Sequence, residues 1–218
     1  PRRIVAASPE KSEISIGDYL CETTYFDRDY QIRLDGFDAS LRGGSYECLR
    51  YRVNNAEKRG YMLTLGKEMT PAHSHVAAFH MSKRSYNLWD YQIFLRLGNY
   101  VAKSPSVKLF NVFVDDVLIG FDVVDFLDHI MVVPLGFYLD YQSLADFMMY
   151  KEILYAKEQG FEWLDIGWAC SPGLEEFKKK WKGIPRFSIY VQEYVDKSEI
   201  KNREKIPVEI TVQTPTAF

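Results

Sequence analysis

The sequence predicts an α/β fold, a twisted mixed β-sheet flanked by helices, and three observations point there. Residues 137–182 read as strand, helix, strand, loop, helix. The strands flanking such a helix pair in parallel, because a parallel pair needs a right-handed helical crossover. Residues 107–114, 118–126 and 129–138 read as three consecutive strands joined by tight turns, with Asp115-Asp116 in the first turn and Asp128 opening the second. Helical patterns precede this meander, and an alternating strand at residues 186–195 follows the last helix.

Taken in order, residues 1–16 are charged and pattern-poor, a tether or an edge strand. Residues 19–34 carry the aromatic and branched side chains of one or two strands, and 35–44 form a glycine-marked loop. Tyr46, Leu49, Val53 and Ala56 recur at helical spacing, closed by Gly60. A short strand follows at 61–65, then a helix opened by Thr70-Pro71 and another over 89–101. Ser143 with Asp146 three residues on predicts a capping-box-like start to a long helix that Gly160 ends. Residues 161–168 read as a buried strand. Ser171-Pro172 then caps the last helix, with acidic residues in its first turn. The tail beyond Asp196 is polar, then β-prone at 208–212.

The chain has 218 residues, 47% of them hydrophobic, enough for a full core without covalent staples. A formal net charge of -3 argues against a general nucleic-acid coat protein but leaves room for a local basic patch. Cys21, Cys48 and Cys170 are odd in number and widely spaced, which suits a reducing cytoplasm and gives no metal-ligand pattern. No run reaches transmembrane length, and the polar start is no signal peptide.

Chemistry concentrates in the last helix and the strand before it. Leu174, Phe177 and Trp181 form an apolar stripe, and Lys178 lies at its edge, placed to reach into a cleft and hold a phosphate, carboxylate or oxyanion. The alternative is a lysine snorkelling over the stripe. On either reading Lys178→Met is expected to leave stability nearly unaltered. Lys178, Lys179, Lys180, Lys182 and Arg186 make the densest positive patch, either a phosphate-binding surface or a solvated helix face. Asp165 and Gly167 share one face of a strand. Asp165 can take a proton from an amine or orient a neighbour, or can hold a structural hydrogen bond. His73, His75 and His80 crowd one segment but diverge on a helix, so structural roles are expected rather than metal ligation.

The same residues carry a family resemblance. The run from Ala156 to Gly160, then Asp165 and Gly167, then Gly173, Leu174, Phe177, Lys178, Trp181 and Gly183, resembles the C-terminal half of FemAB-type transferases, members of the GNAT acyltransferase superfamily. Arg50, Asn54 and Glu57 are similar to a helix of phosphatidylglycerol lysyltransferase-like domains. The resemblance implies a GNAT-like domain over residues 61–195, an N-terminal extension over 1–60 standing as a partial second GNAT-like unit, and a tail over 196–218.

It also implies acyl transfer to an amine, with an aminoacyl group from aminoacyl-tRNA as the expected donor. Lys178, Asp165 and Asp125 are then expected to carry the chemistry. Tyr138, Gly167, Trp168, Phe177 and Trp181 would line the substrate site, and Lys179, Lys180, Lys182 and Arg186 would meet tRNA phosphates. Asp122, Asp128 and His129 are further candidates along the meander. GNAT acetyltransferases usually place a glycine-rich pyrophosphate loop before their long helix, whereas residues 140–145 here contain no glycine. That tilts the donor away from acyl-CoA, which remains the alternative, as does a non-catalytic GNAT-like binding domain. No permanently bound cofactor or metal is expected. The acceptor is an amine on a small molecule, a peptide or a lipid headgroup.

Overall fold

The computed structural model describes residues 3–8, 17–83 and 88–198. Eight strands and five α-helices appear among them: β1 (Arg3–Ser8), β2 (Tyr19–Arg33), α1 (Glu47–Lys58), β3 (Met62–Gly66), α2 (Pro71–Ser82), α3 (Leu88–Lys103), β4 (Val107–Val114), β5 (Val117–Leu127), β6 (Ile130–Tyr138), α4 (Leu144–Glu158), β7 (Trp163–Trp168), α5 (Pro172–Lys180) and β8 (Ile184–Asp196). The chain divides into two compact units, Asp29–Arg186 and a smaller one whose described residues are 3–8, 17–28 and 187–198. The border expected between residues 60 and 61 falls inside the larger unit, because α1 packs on α4 and the end of β2 pairs with β7.

In the larger unit the strands run in the order β2-β7-β6-β5-β4-β3, antiparallel throughout except for the parallel pair β6–β7. Alternation along the strands sends side chains to two opposite cores. Phe110, Val124, Met131, Leu164 and Ile166 face α1 and α4, meeting Leu49, Val53, Ile153 and Ala156. Leu109, Phe121 and Val123 face α2 and α3, meeting Val76, Ala77, Leu97 and Val101. The meander turns as the sequence predicts: Asp115 and Asp116 both have positive φ, 47° and 61°, as a two-residue type I′ turn requires.

In the smaller unit β1 pairs antiparallel with β8 from Arg3↔Val195 to Ser8↔Tyr190, and the Phe26 and Tyr190 rings meet edge to face at 5.3 Å. The pattern-poor start of the chain thus contains a strand. The β-prone residues 208–212 lie outside the described residues.

Two local expectations are corrected. Ser143 does not cap α4: it sits in the left-handed region at φ 65°, and its side chain makes no cap bond. Asp146 has another task. It is buried and accepts from the Trp181 indole at 2.9 Å, from Arg52 at 3.1 Å and from Lys180 at 2.6 Å, tying α4 to α1 and to the end of α5. Lys178 does not ride the edge of a stripe either; it is only 3% exposed. Its stripe partners differ in depth, with Trp181 fully buried, Phe177 half-buried and Leu174 exposed.

Candidate functional site

The site lies where the larger unit's sheet opens. β6 and β7 pair only at Ile130↔Trp163, Met131↔Leu164 and Val132↔Asp165. Beyond that point β6 continues on β5 through Leu135, Gly136, Phe137 and Tyr138, while β7 continues on β2 to Trp168. The two strands therefore part after Val132 and Asp165. A bulge in the β5–β6 pairing opposite Val124 re-aims β6 at the same level.

Lys178 enters this opening from α5, and its ammonium donates to the Ile166 carbonyl on the freed part of β7. Gly167 follows at φ 72°, and a Cβ there would stand 3.8 Å from both the Lys178 Nζ and the Val133 carbonyl. Lysine, β7 and β6 thus converge within one side-chain length. The end of α5 holds the lysine in place. Ser171 Oγ accepts from the Leu174 amide at the start, Lys182 turns left-handed at φ 63°, and Gly183 donates its amide to the Lys178 carbonyl at 2.9 Å. A Cβ on Gly183 would lie 2.9 Å from that same carbonyl oxygen, which explains why glycine closes the motif.

A carboxyl pair faces the lysine. Asp165 accepts from the Gly167 amide at 2.8 Å and from Gln31 Nε2 at 2.9 Å. Its second neighbour is Asp29, buried, two residues before Gln31 on β2 and hydrogen-bonded to Asp165 side chain to side chain. Burial first, then the charge and hydrogen bond of Asp165, push the Asp29 carboxyl up to about 7, while Lys178 and Gln31 pull the other way. Asp29 went unrecognised in the sequence because nothing local marks it. The antiparallel pairing of β2 on β7 alone brings it to Asp165.

The register also places Asp125. Asp125 pairs with Val132, Val132 with Asp165, and Asp165 with Gln31, so the four share one row across β5, β6, β7 and β2. Asp125 points away from Val124 and Phe126 and accepts from the Tyr100 hydroxyl at 2.5 Å. Its other carboxyl oxygen is buried without a hydrogen-bond partner.

The remaining expected residues distribute as follows. Trp168 is half-buried opposite Asp29. Trp181, expected at the substrate, is instead sealed in the core against Phe37 and Tyr150. Phe177 packs on the same core beneath the Lys180 ammonium at 4.8 Å. Of the basic cluster, Lys179 pairs with Glu175 at 2.7 Å and Lys180 with Asp146, whereas Lys182 lies over the Tyr46 ring at 5.2 Å and Arg186 over the Trp163 ring at 4.1 Å. Asp128 and His129 pair with each other on the surface at 3.1 Å. His73 bonds Thr70 and Asn111, and His80 bonds the Tyr138 backbone, so both serve structure as expected.

A second group lies under α4. Tyr138 donates to Asp122 at 2.5 Å, and Asp122 shares a hydrogen bond with Glu152. Both carboxyls are buried, and that burial raises Asp122 to about 6 and Glu152 well above its ordinary value. Next to it a cavity of about 210 Å³ is lined by His80, Lys83, Tyr138, Asp140, Tyr141 and Leu144, at the start of α4. Lys83 and Asp140 pair at 3.0 Å at its rim. Among the described residues no group of three potential ligands could hold a metal, and no helix is long and apolar enough to cross a membrane.

A mixed sheet that opens between its two parallel central strands, with a helix before and after the second, is the GNAT fold, and solved structures agree. The chain superposes on L-PGS from Bacillus licheniformis with a TM-score of 0.57 at 15% identity, covering 80% of this chain and 62% of that one. FemX gives 0.55 at 13% identity, covering 90% and 68%. A tandem GNAT protein from the clavulanic acid biosynthesis pathway gives 0.53 at 10%, covering 89% and 63%. The fold is thus the one shared by the L-PGS, FemX and tandem GNAT structures, and this chain spans about 62% of the L-PGS structure's length. No sequence-family profile and no curated protein matches it by sequence.

Proposed function

We propose that the chain is an acyltransferase that moves an aminoacyl group from aminoacyl-tRNA to an amine. The observation that supports this best is the buried Lys178 ammonium set in the opening between β6 and β7 with Asp165 and Gly167 beside it. A positioned cation stabilises the oxyanion that forms when an amine adds to an ester, and a neighbouring carboxylate orients the amine. Asp125 extends the same row toward the acceptor. Tyr138 and Trp168 border the opening on either strand, while Lys182 and Arg186, with Lys179 and Lys180, supply positive charge near the tRNA acceptor end.

The start of α4 favours this donor over acyl-CoA. Its turn carries no glycine, and Asp140, though paired with Lys83, places a carboxylate at the neighbouring cavity. The neighbour named FemX and the L-PGS structure fit the same reading. Calorimetry with acetyl-CoA, set against filter binding of charged tRNA over a salt series, tests it. Weak or absent CoA binding and a tRNA affinity that falls steeply with salt are expected. CoA binding at a micromolar Kd, about -8 kcal/mol, with salt-insensitive tRNA binding would overturn it.

A further inference from the structure

Two carboxyl groups in hydrogen-bond contact cannot both ionise cheaply, so a pair such as Asp29 and Asp165 holds one proton between them over a wide pH range. Asp165 accepts from the Gly167 amide and from Gln31, and Gln31 bonds Asp29 as well. Asp29 is only 7% exposed, and burial first, then the charge of Asp165, push its carboxyl up to about 7. The charged and titratable groups that face Asp29 are Asp165 from β7 and Lys178 from α5, with Gln31 on its own strand. Raising the pH through neutrality ionises Asp29 and leaves a carboxylate more basic than an ordinary aspartate beside a lysine that balances its charge.

We propose that Asp29, poised by Asp165, is the proton acceptor of the transfer reaction. The inference rests on the acyl-transfer reading above. As the amine nitrogen's lone pair forms the new C–N bond to the ester carbonyl, the nitrogen loses a proton to the Asp29 carboxylate. When the intermediate collapses, the C–O bond to the ribose breaks, its electron pair stays on the leaving oxygen, and the proton held by Asp29 passes to that oxygen. The products are an amide and a free hydroxyl, and the carboxyl pair ends in the protonation state in which it began. Lys178 keeps its proton throughout, bound at the Ile166 carbonyl and facing the oxyanion. This divides the labour between a fixed cation and a mobile proton, each on a different element of the opening.

Carboxyl-selective carbon NMR on the wild-type chain and the pH profile of amide formation test the assignment together. Asp29 is expected to titrate near neutrality, at about 7. In Asp165→Asn its titration should move down, because the like charge is gone. In Asp29→Asn, which keeps the side-chain shape, amide formation should fall by about 10²-fold or more, the range for loss of a general base. The acidic limb of kcat/KM should disappear with it, while donor binding stays unchanged. Titration of Asp29 near its ordinary value, or an Asp29→Asn chain that transfers at the wild-type rate with its acidic limb intact, overturns the proposal alone. A wild-type chain that forms no amide with any donor overturns the acyl-transfer reading and this step with it.

Discussion

Replacing Lys178 by Met should destabilise the larger unit by about 2–3 kcal/mol, opposite to what the apolar stripe suggests. The stripe places the lysine at a surface edge, where methionine would cover the same area at little cost. The structure leaves Lys178 3% exposed, with its ammonium on the Ile166 carbonyl. A charge-assisted bond of this kind is worth about 1.5–3 kcal/mol, and the carbonyl left behind in the opening has no ready substitute. Methionine retains the aliphatic length, so packing adds little to the loss. Loss of the cation also removes the charge that holds the Asp29 carboxyl down, so Asp29 keeps its proton to higher pH. At about 2–4 °C per kcal/mol for a chain of this size, Tm should fall by about 4–12 °C. Thermal and urea melts of Lys178→Met and Lys179→Met, side by side, provide the assay. Lys179 is exposed and pairs with Glu175 on its own helix, so its loss should cost no more than about 0.5 kcal/mol. Equal, small shifts at both positions would refute the burial of Lys178 and the geometry built on it.

Two further predictions concern the group under α4. Asp122 titrates at about 6 in the fold against 3.8 when free, and Glu152 is raised as well. The native state therefore binds more protons than the unfolded chain above pH ~4, and stability falls as pH rises from about 4 to about 6, by about 3 kcal/mol for Asp122 alone. Asp122→Asn keeps an acceptor for the Tyr138 hydroxyl and should flatten that slope in urea melts, leaving what the raised Glu152 and Asp29 and the lowered His73 and Asp38 contribute; an unaltered slope would contradict the assignment. Gly136→Ala would drive a methyl group into the Asp122 carboxyl and the Tyr138 hydroxyl, so a loss of about 1–3 kcal/mol is expected in the same melts, and a neutral result would mean that β6 does not hold this register.

Most of the fold was legible because its signals are local. The turn at Asp115-Asp116, the cap at Ser171 and the end of α4 at Gly160 each depend on a few adjacent residues, and each stands where the pattern put it. The site was legible only in part. Lys178, Asp165 and Gly167 stood out by motif, and the structure brings them together. Asp29 did not, since its partner lies on a strand far along the chain and only sheet register joins them. Asp146 was misread for the same reason. Its spacing from Ser143 imitates a cap, but Lys180 at the end of α5 and Trp181 just beyond it claim it instead. Long-range partners decide what a buried polar side chain does, and local spacing does not report them.

Amide formation per folded molecule tests the central claim most directly. The purified chain is incubated with a pool of labelled aminoacyl-tRNAs and three acceptors: a small diamine, a peptide with a free amino group and vesicles containing phosphatidylethanolamine. Folded protein in each sample is counted from its melt. The account predicts a labelled amide with the wild type, a fall of about 10² or more in Lys178→Met after correction for unfolding, and in Lys179→Met no more than the small loss that one weakened phosphate contact brings. A Lys178→Met chain that transfers as fast per folded molecule as the wild type would contradict it and leave the GNAT likeness as a statement about fold.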